Sequence, residues 1–201
     1  AKQVLRKIRN YFYDIAKMKN YEVDVLEITE KEIIKNVEHI GLLNEKQPTE
    51  IIQYIRDSIS ESDIIAIYAH GEMINNQLCI KISPKEIQLS PKIISQIKFT
   101  KTPVILAMVC KAGYTLSISE IKNLKTLATA FLNTNISAYI APQFKVSVKT
   151  AELFTKKFLT LDLLQGAVPM GKKLCKTRKI LFTKEPLALT TALYGDPQLY
   201  L

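Results

Sequence analysis

Two side chains able to do covalent chemistry close the two most apolar runs of the sequence. Residues 63–71 (DIIAIYAHG) end in His70 and Gly71, and residues 103–110 (PVILAMVC) end in Cys110, with Gly113 close behind. A thiol is a poor nucleophile until it loses its proton, and an adjacent imidazole favours the thiolate. Gly71 presents a backbone N–H with no side chain in the way. Together with the N–H of Cys110 it can donate to the oxyanion of a tetrahedral intermediate. A helix starting near Leu116 or Ser117 would add the positive end of its dipole beside Cys110, and Gly113 would allow the sharp turn between strand and helix.

Each residue also has an ordinary structural reading. Cysteine is among the most frequently buried residue types, and a lone histidine is usually a hydrogen-bonded core or surface group. The pairing at the ends of two apolar runs raises the chemical reading to parity with the structural one. Cys79 lies in an apolar strand pattern, Cys175 in a basic helix and His39 at a helix end, and all three read as structural. A His–Cys mechanism requires no metal and no cofactor.

The elements that must position this pair follow from periodicity. Apolar residues recur at spacings of three and four over residues 1–18, which predicts a helix. Residues 21–28 alternate as a strand, and Thr29 with Glu32 has the capping-box spacing of a helix start. Pro48 opens a further helix. Residues 63–71, 103–110 and 136–141 are continuous apolar runs, as expected of strands covered on both faces. Residues 77–82 form a short alternating strand, a hairpin arm or an edge. A short helix is expected within 83–100, longer helices over 117–133, 147–164 and 168–181, and a last strand at 188–193. Helix and strand in alternation predict an α/β sandwich with a mainly parallel sheet, whose sites form beyond the carboxyl ends of the strands. If the runs ending in His70 and Cys110 are neighbours, imidazole and thiol emerge at one edge.

The bulk numbers suit this reading. The 201 residues, 47% of them hydrophobic, suffice for one domain over 1–201 with a substantial core. A first residue that is Ala1 rather than Met suits a piece excised from a longer chain. No apolar run reaches the ~18 residues of a membrane span. Three cysteines without a C-x-x-C pair point to reduced thiols in a cytoplasm-like compartment. The net charge is +9, and residues 145–184 hold nine lysines and Arg178 against Glu152 and Asp162. Those lysines fall at helical spacings, as on a solvated helix face. Neither an aromatic stacking platform nor a phosphate-binding glycine loop accompanies them, which argues against nucleic-acid and nucleotide binding.

Beyond these local readings, the ordered segments resemble CHAT domains, the caspase-like domains of clan CD. Residues 68–72 (YAHGE) with 78–80 (LCI) resemble their histidine segment, and residues 104–113 (VILAMVCKAG) their nucleophile segment. Residues 128–142 (ATAFLNTNISAYIAP), 154–166 (FTKKFLTLDLLQG) and 194–197 (YGDP) resemble the family's later segments, in order. The resemblance spans residues 63–201. It implies a caspase-like three-layer α/β/α sandwich and a cysteine endopeptidase of the caspase, gingipain, separase and clostripain kind. By resemblance, Cys110 is the nucleophile, His70 the general base and acid, and Gly71 an oxyanion donor. Gln143 and Phe144 fall where relatives bind substrate backbone. A protein or peptide substrate is implied, with a sensor domain or activating partner that controls cleavage. Departures are Val109 before the cysteine, Ser147 where many relatives carry an acid, and the absence of Trp. They bear on substrate preference, for which Asp63 and Glu72 are the candidate pocket acids. A caspase-like scaffold without turnover is the alternative.

Overall fold

The structure, a computed structural model, describes residues 2–19, 53–54, 57–75, 77–81, 88–113, 126–165 and 168–200. The strand expected at 21–28, the helix start at Thr29, His39 and the start of the helix after Pro48 lie outside the described residues.

The central sheet contains β1 (Ile64–Ile67), β5 (Val104–Ala107), β6 (Ala138–Pro142) and β7 (Thr191–Gly195), in that spatial order. β1, β5 and β6 run parallel, and β7 returns antiparallel to β6. Successive side chains along a strand point to opposite faces, and here both faces are apolar. Ile105, Ala107, Val109, Tyr139 and Ala141 enter one core with Ile94, Ile97, Phe99, Leu127 and Phe131. Val104, Leu106, Met108, Ala138 and Ile140 enter the other with Phe154, Phe158, Met170, Leu174 and Leu181. Burial on both faces is why these strands read as continuous apolar runs. The resulting architecture is a three-layer α/β/α sandwich.

Among the described residues the first core is covered by the short helices α2 (Pro91–Ile94) and α3 (Leu127–Leu132), with Tyr54 and Ile59 also packed against it. The second lies beneath two long ones, α4 (Val148–Gln165) and α5 (Met170–Leu181). The N-terminal helix α1 (Lys2–Lys19) packs outside α4, with Lys7 Nζ 3.0 Å from Glu152 and Lys156 Nζ 5.0 Å from the Tyr11 ring centroid. Lys156, Lys157, Lys172 and Lys179 face solvent, as the helical spacing predicts. Lys173 does not: it is buried, with Nζ 4.8 Å from the centroid of Phe158. No helix among the described residues is long and apolar enough to cross a membrane.

Three elements differ from the sequence expectation. The run 63–71 is not one strand. β1 stops at Ile67, and His70 opens β2 (His70–Ile74), which pairs antiparallel with β3 (Gln77–Lys81) and, through it, with β4 (Gln88–Leu89) in a second sheet. The break falls at Tyr68 and Ala69, which still alternate between the two cores as strand residues would. The expected helix over 117–133 does not run unbroken. Thr126 is extended (φ −80°, ψ 163°) and caps α3 with a reciprocal Thr126–Thr129 capping box, while residues 114–125 lie outside the described part. The last strand begins later than expected, because a 3-10 helix over Pro186–Thr190 precedes it.

Candidate active site

β1 and β5 are adjacent and in parallel register, with Ile67 opposite Ala107 and the Met108 N–H donating to the Ile67 carbonyl at 2.8 Å. Their carboxyl ends therefore coincide. Two residues beyond each end, the chain reaches Ala69 and Val109, and one more step reaches His70 and Cys110. The link to His70 is anchored: the Tyr68 and Thr155 hydroxyls share a hydrogen bond, and burial pushes the Tyr68 phenol up in pKa. The two segments then touch. A Cβ built on Gly71 would lie 2.5 Å from the Cys110 carbonyl oxygen and 3.2 Å from Val109 Cγ1. Only glycine permits this approach.

His70 is exposed and Cys110 half-buried. Among the described residues no hydrogen bond joins imidazole to thiol. The Cys110 Sγ instead donates to the Val146 carbonyl at 3.6 Å.

The loop behind Cys110 is held along its length. Lys111 adopts the left-handed region at φ 62°, and its N–H donates to the Phe144 carbonyl at 3.2 Å. The sharp turn thus falls on Lys111 rather than on Gly113. Gly113 serves close approach: its N–H donates to the Pro142 carbonyl at 2.8 Å, and a Cβ there would lie 2.5 Å from the Ala141 carbonyl oxygen. The Tyr139 hydroxyl donates to the Ala112 carbonyl at 3.2 Å, and the Tyr194 hydroxyl donates to that of Gly113. Tyr139 is fully buried against Phe131, and burial raises its pKa further above that of a free phenol.

The segment expected to meet substrate forms the opposite wall. The Gln143 N–H is taken up by the Thr190 carbonyl at 2.9 Å, and the Phe144 carbonyl by Lys111, so both backbone groups serve the fold. The Phe144 side chain is 55% exposed. Ser147 caps α4, its Oγ accepting from the Thr150 N–H at 3.0 Å. A helix start does approach the thiol, that of α4 through Val146, while the start expected near Leu116 or Ser117 lies outside the described residues.

An acid does reach this helix start, from a segment the sequence did not single out. Glu185 accepts from Thr150 Oγ1 at 2.7 Å and pairs with Lys149 Nζ at 3.1 Å. The Thr150 hydroxyl, then Lys149, hold its carboxyl below the ordinary range. The proposed pocket acids are placed otherwise. Asp63 precedes β1 at the opposite edge of the sheet, 80% exposed and paired with Lys101 at 3.1 Å, so it does not line the site. Glu72 pairs with Lys81 at 2.8 Å.

All three cysteines are free thiols. Cys79 is buried in β3, where burial and the Glu72 charge push its thiol up. Cys175 is exposed on α5. Among the described residues no three His, Cys, Asp or Glu side chains gather as metal ligands. Val146, Lys111 and Glu185 escaped the sequence analysis. Val146 acts through its carbonyl, Lys111 follows Cys110 directly but takes its left-handed turn without a sequence signal, and Glu185 becomes a neighbour of the site only through long-range packing.

No family model and no curated protein matches the sequence. Among solved structures, the chain is similar to the complex of the pro- and mature domains of RgpB, a gingipain of Porphyromonas gingivalis. The TM-score is 0.52 at 16% identity, over 86% of this chain and 43% of the other. The chain thus spans less than half the length of that neighbour. At this identity the likeness is one of fold, and the fold of the chain is caspase-like.

Proposed function

We propose that the chain is a cysteine peptidase domain that hydrolyses peptide bonds in a protein substrate. The observation that carries this reading is the contact of Gly71 with the Cys110 carbonyl at the shared carboxyl edge of β1 and β5. It brings the segment carrying His70 and Gly71 against the one carrying Cys110. The caspase-like fold and the ordered CHAT-like segments support the same assignment.

In this reading Cys110 attacks the substrate carbonyl as thiolate. The Gly71 and Cys110 N–H groups donate to the oxyanion, and His70 protonates the leaving amine. His70 then takes a proton from water as the acyl-enzyme is hydrolysed. The thiol's hydrogen bond to Val146 must break first. An activating partner or sensor that shifts residues 143–147 would release it, which accounts for the regulation expected of such domains. Three free thiols suit a reducing, cytoplasm-like compartment.

A second reading, a caspase-like interaction module without turnover, is favoured by one observation: no hydrogen bond links His70 to Cys110 in this geometry. Cleavage of a diverse peptide mixture, read by mass spectrometry with wild type beside Cys110→Ala, separates the two. Cuts that vanish in the variant establish the peptidase. Identical peptide patterns, together with no selective alkylation of Cys110 at neutral pH, establish the module.

A further inference from the structure

We propose that the polypeptide handled at Cys110 is acidic, with Asp or Glu side chains close to the cleaved bond; this rests on the peptidase reading above. Lys111 follows Cys110 directly, is exposed, and is fixed by its N–H bond to the Phe144 carbonyl. Lys145 is exposed on the facing wall, between Phe144, which accepts that bond, and Val146, which accepts from the thiol. Among the described residues neither lysine has an ion-pair partner.

Among the described residues the acids near this edge are already engaged. Glu72 is held by Lys81 at 2.8 Å, and Glu185 by Lys149 at 3.1 Å and Thr150 at 2.7 Å. Asp63 sits at the other end of β1. The charge left unbalanced around the thiol, among the described residues, is therefore positive on both walls. Among the described residues a basic peptide would meet two ammonium groups with no free carboxylate between them, whereas an acidic one would complete the set. Phe144 and Val148, 55% and 59% exposed, lie along the same wall and offer apolar surface beside the charges. The left-handed backbone of Lys111 favours glycine, yet lysine occupies it, so the charge is present at a position where backbone preference alone would select another residue.

The test reads the local potential separately from turnover. Cys110 is alkylated with iodoacetate, an anion, and with iodoacetamide, its neutral counterpart, and the ratio of rates is followed on the Cys110 peptide by mass spectrometry. Lys111→Glu with Lys145→Glu should lower that ratio by about two- to fivefold for each charge reversed, with the difference shrinking in high salt. Lys111→Gly with Lys145→Gln, which spares the backbone, should lower it by about half as much on a logarithmic scale. In the peptide mixture, Cys110-dependent cuts should be enriched in Asp and Glu, and the enrichment should fall in both variants.

Cuts that depend on Cys110 but show no acidic bias, or a basic one, would overturn the proposal and leave the peptidase reading intact. No Cys110-dependent cuts would sink the peptidase reading. In that case, binding of fluorescence-labelled acidic and basic peptides to the intact chain decides the charge preference alone. An unchanged alkylation ratio in both variants, or salt-sensitive binding of an RNA oligonucleotide with no preference among peptides, would also overturn it.

Discussion

The Cα of Gly71 packs directly on the carbonyl oxygen of Cys110, so closely that a Cβ would intrude to 2.5 Å. The two residues lie 39 positions apart in a chain whose order says nothing of this contact. Gly71→Ala would therefore force the β2–β3 hairpin away from the end of β5. Overpacking of this kind costs about 1–3 kcal/mol. The expected result is a lower urea midpoint and loss of Cys110-dependent cleavage, with a circular-dichroism spectrum close to wild type. A variant of unchanged stability and activity would show that the hairpin is free to shift and does not set the site.

The loop after Cys110 hangs from two phenols. Tyr139→Phe leaves the Ala112 carbonyl without its 3.2 Å donor inside the core. A buried acceptor left unpaired costs about 1–3 kcal/mol. Tyr194→Phe removes the corresponding donor to Gly113, at a half-buried position where water can substitute, so its effect is smaller. Hydrogen exchange at residues 110–113 should speed up in Tyr139→Phe beyond what the global loss of stability explains.

Much of this arrangement is legible in the sequence, and the illegible part has a physical cause. The runs around Ile65, Ile105 and Ile140 announce buried strands because both faces are covered, and periodicity needs no partner to reveal that. His70 and Cys110 stand out because they end such runs. The break at Tyr68 was hidden because an apolar residue entering the opposite core looks, in sequence, like the next residue of a strand. Ser147 is recognisable as a helix cap, but Glu185 is not recognisable as its neighbour, since only the packing of the 3-10 helix beside α4 brings them together. Val146 contributes a carbonyl oxygen, which every residue has.

Lys111 occupies the left-handed region at φ 62°. For a residue with a Cβ this costs about 1–2 kcal/mol, most of which glycine avoids, while glycine also loses more freedom on folding. Lys111→Gly should accordingly hold or slightly raise the thermal midpoint, despite removing a side chain. A clear loss of stability would mean that the lysine stem contributes packing its exposure does not reveal.

The thiols should separate by reactivity. Cys79 is buried and its thiol is pushed up in pKa, first by burial and then by the Glu72 charge. Cys175 is exposed, and Cys110 half-buried. At neutral pH, limiting iodoacetamide should label Cys175 and Cys110 well before Cys79, which should react only as the chain is unfolded by urea. Early labelling of Cys79 would indicate that β3 opens readily and that the second sheet is only loosely held.

Glu185 ties the 3-10 helix to the first turn of α4, and its carboxyl is held below the ordinary range by the Thr150 hydroxyl first and Lys149 second. Because the folded value lies below the unfolded one, near ~4.3, the stabilisation is fully present above that unfolded value. It is lost as pH falls through the folded value. Thr150→Val keeps the shape of a buried side chain and removes the main donor. Wild type should thus exceed the variant in urea midpoint at pH 7, and the gap should narrow as pH is lowered past about 4. Since α4 begins beside the Val146 carbonyl that accepts from Cys110, the same variant should also loosen residues 143–147 and quicken Cys110 alkylation at pH 7. A gap independent of pH would place the effect in packing at Thr150 rather than in its bond to the carboxylate.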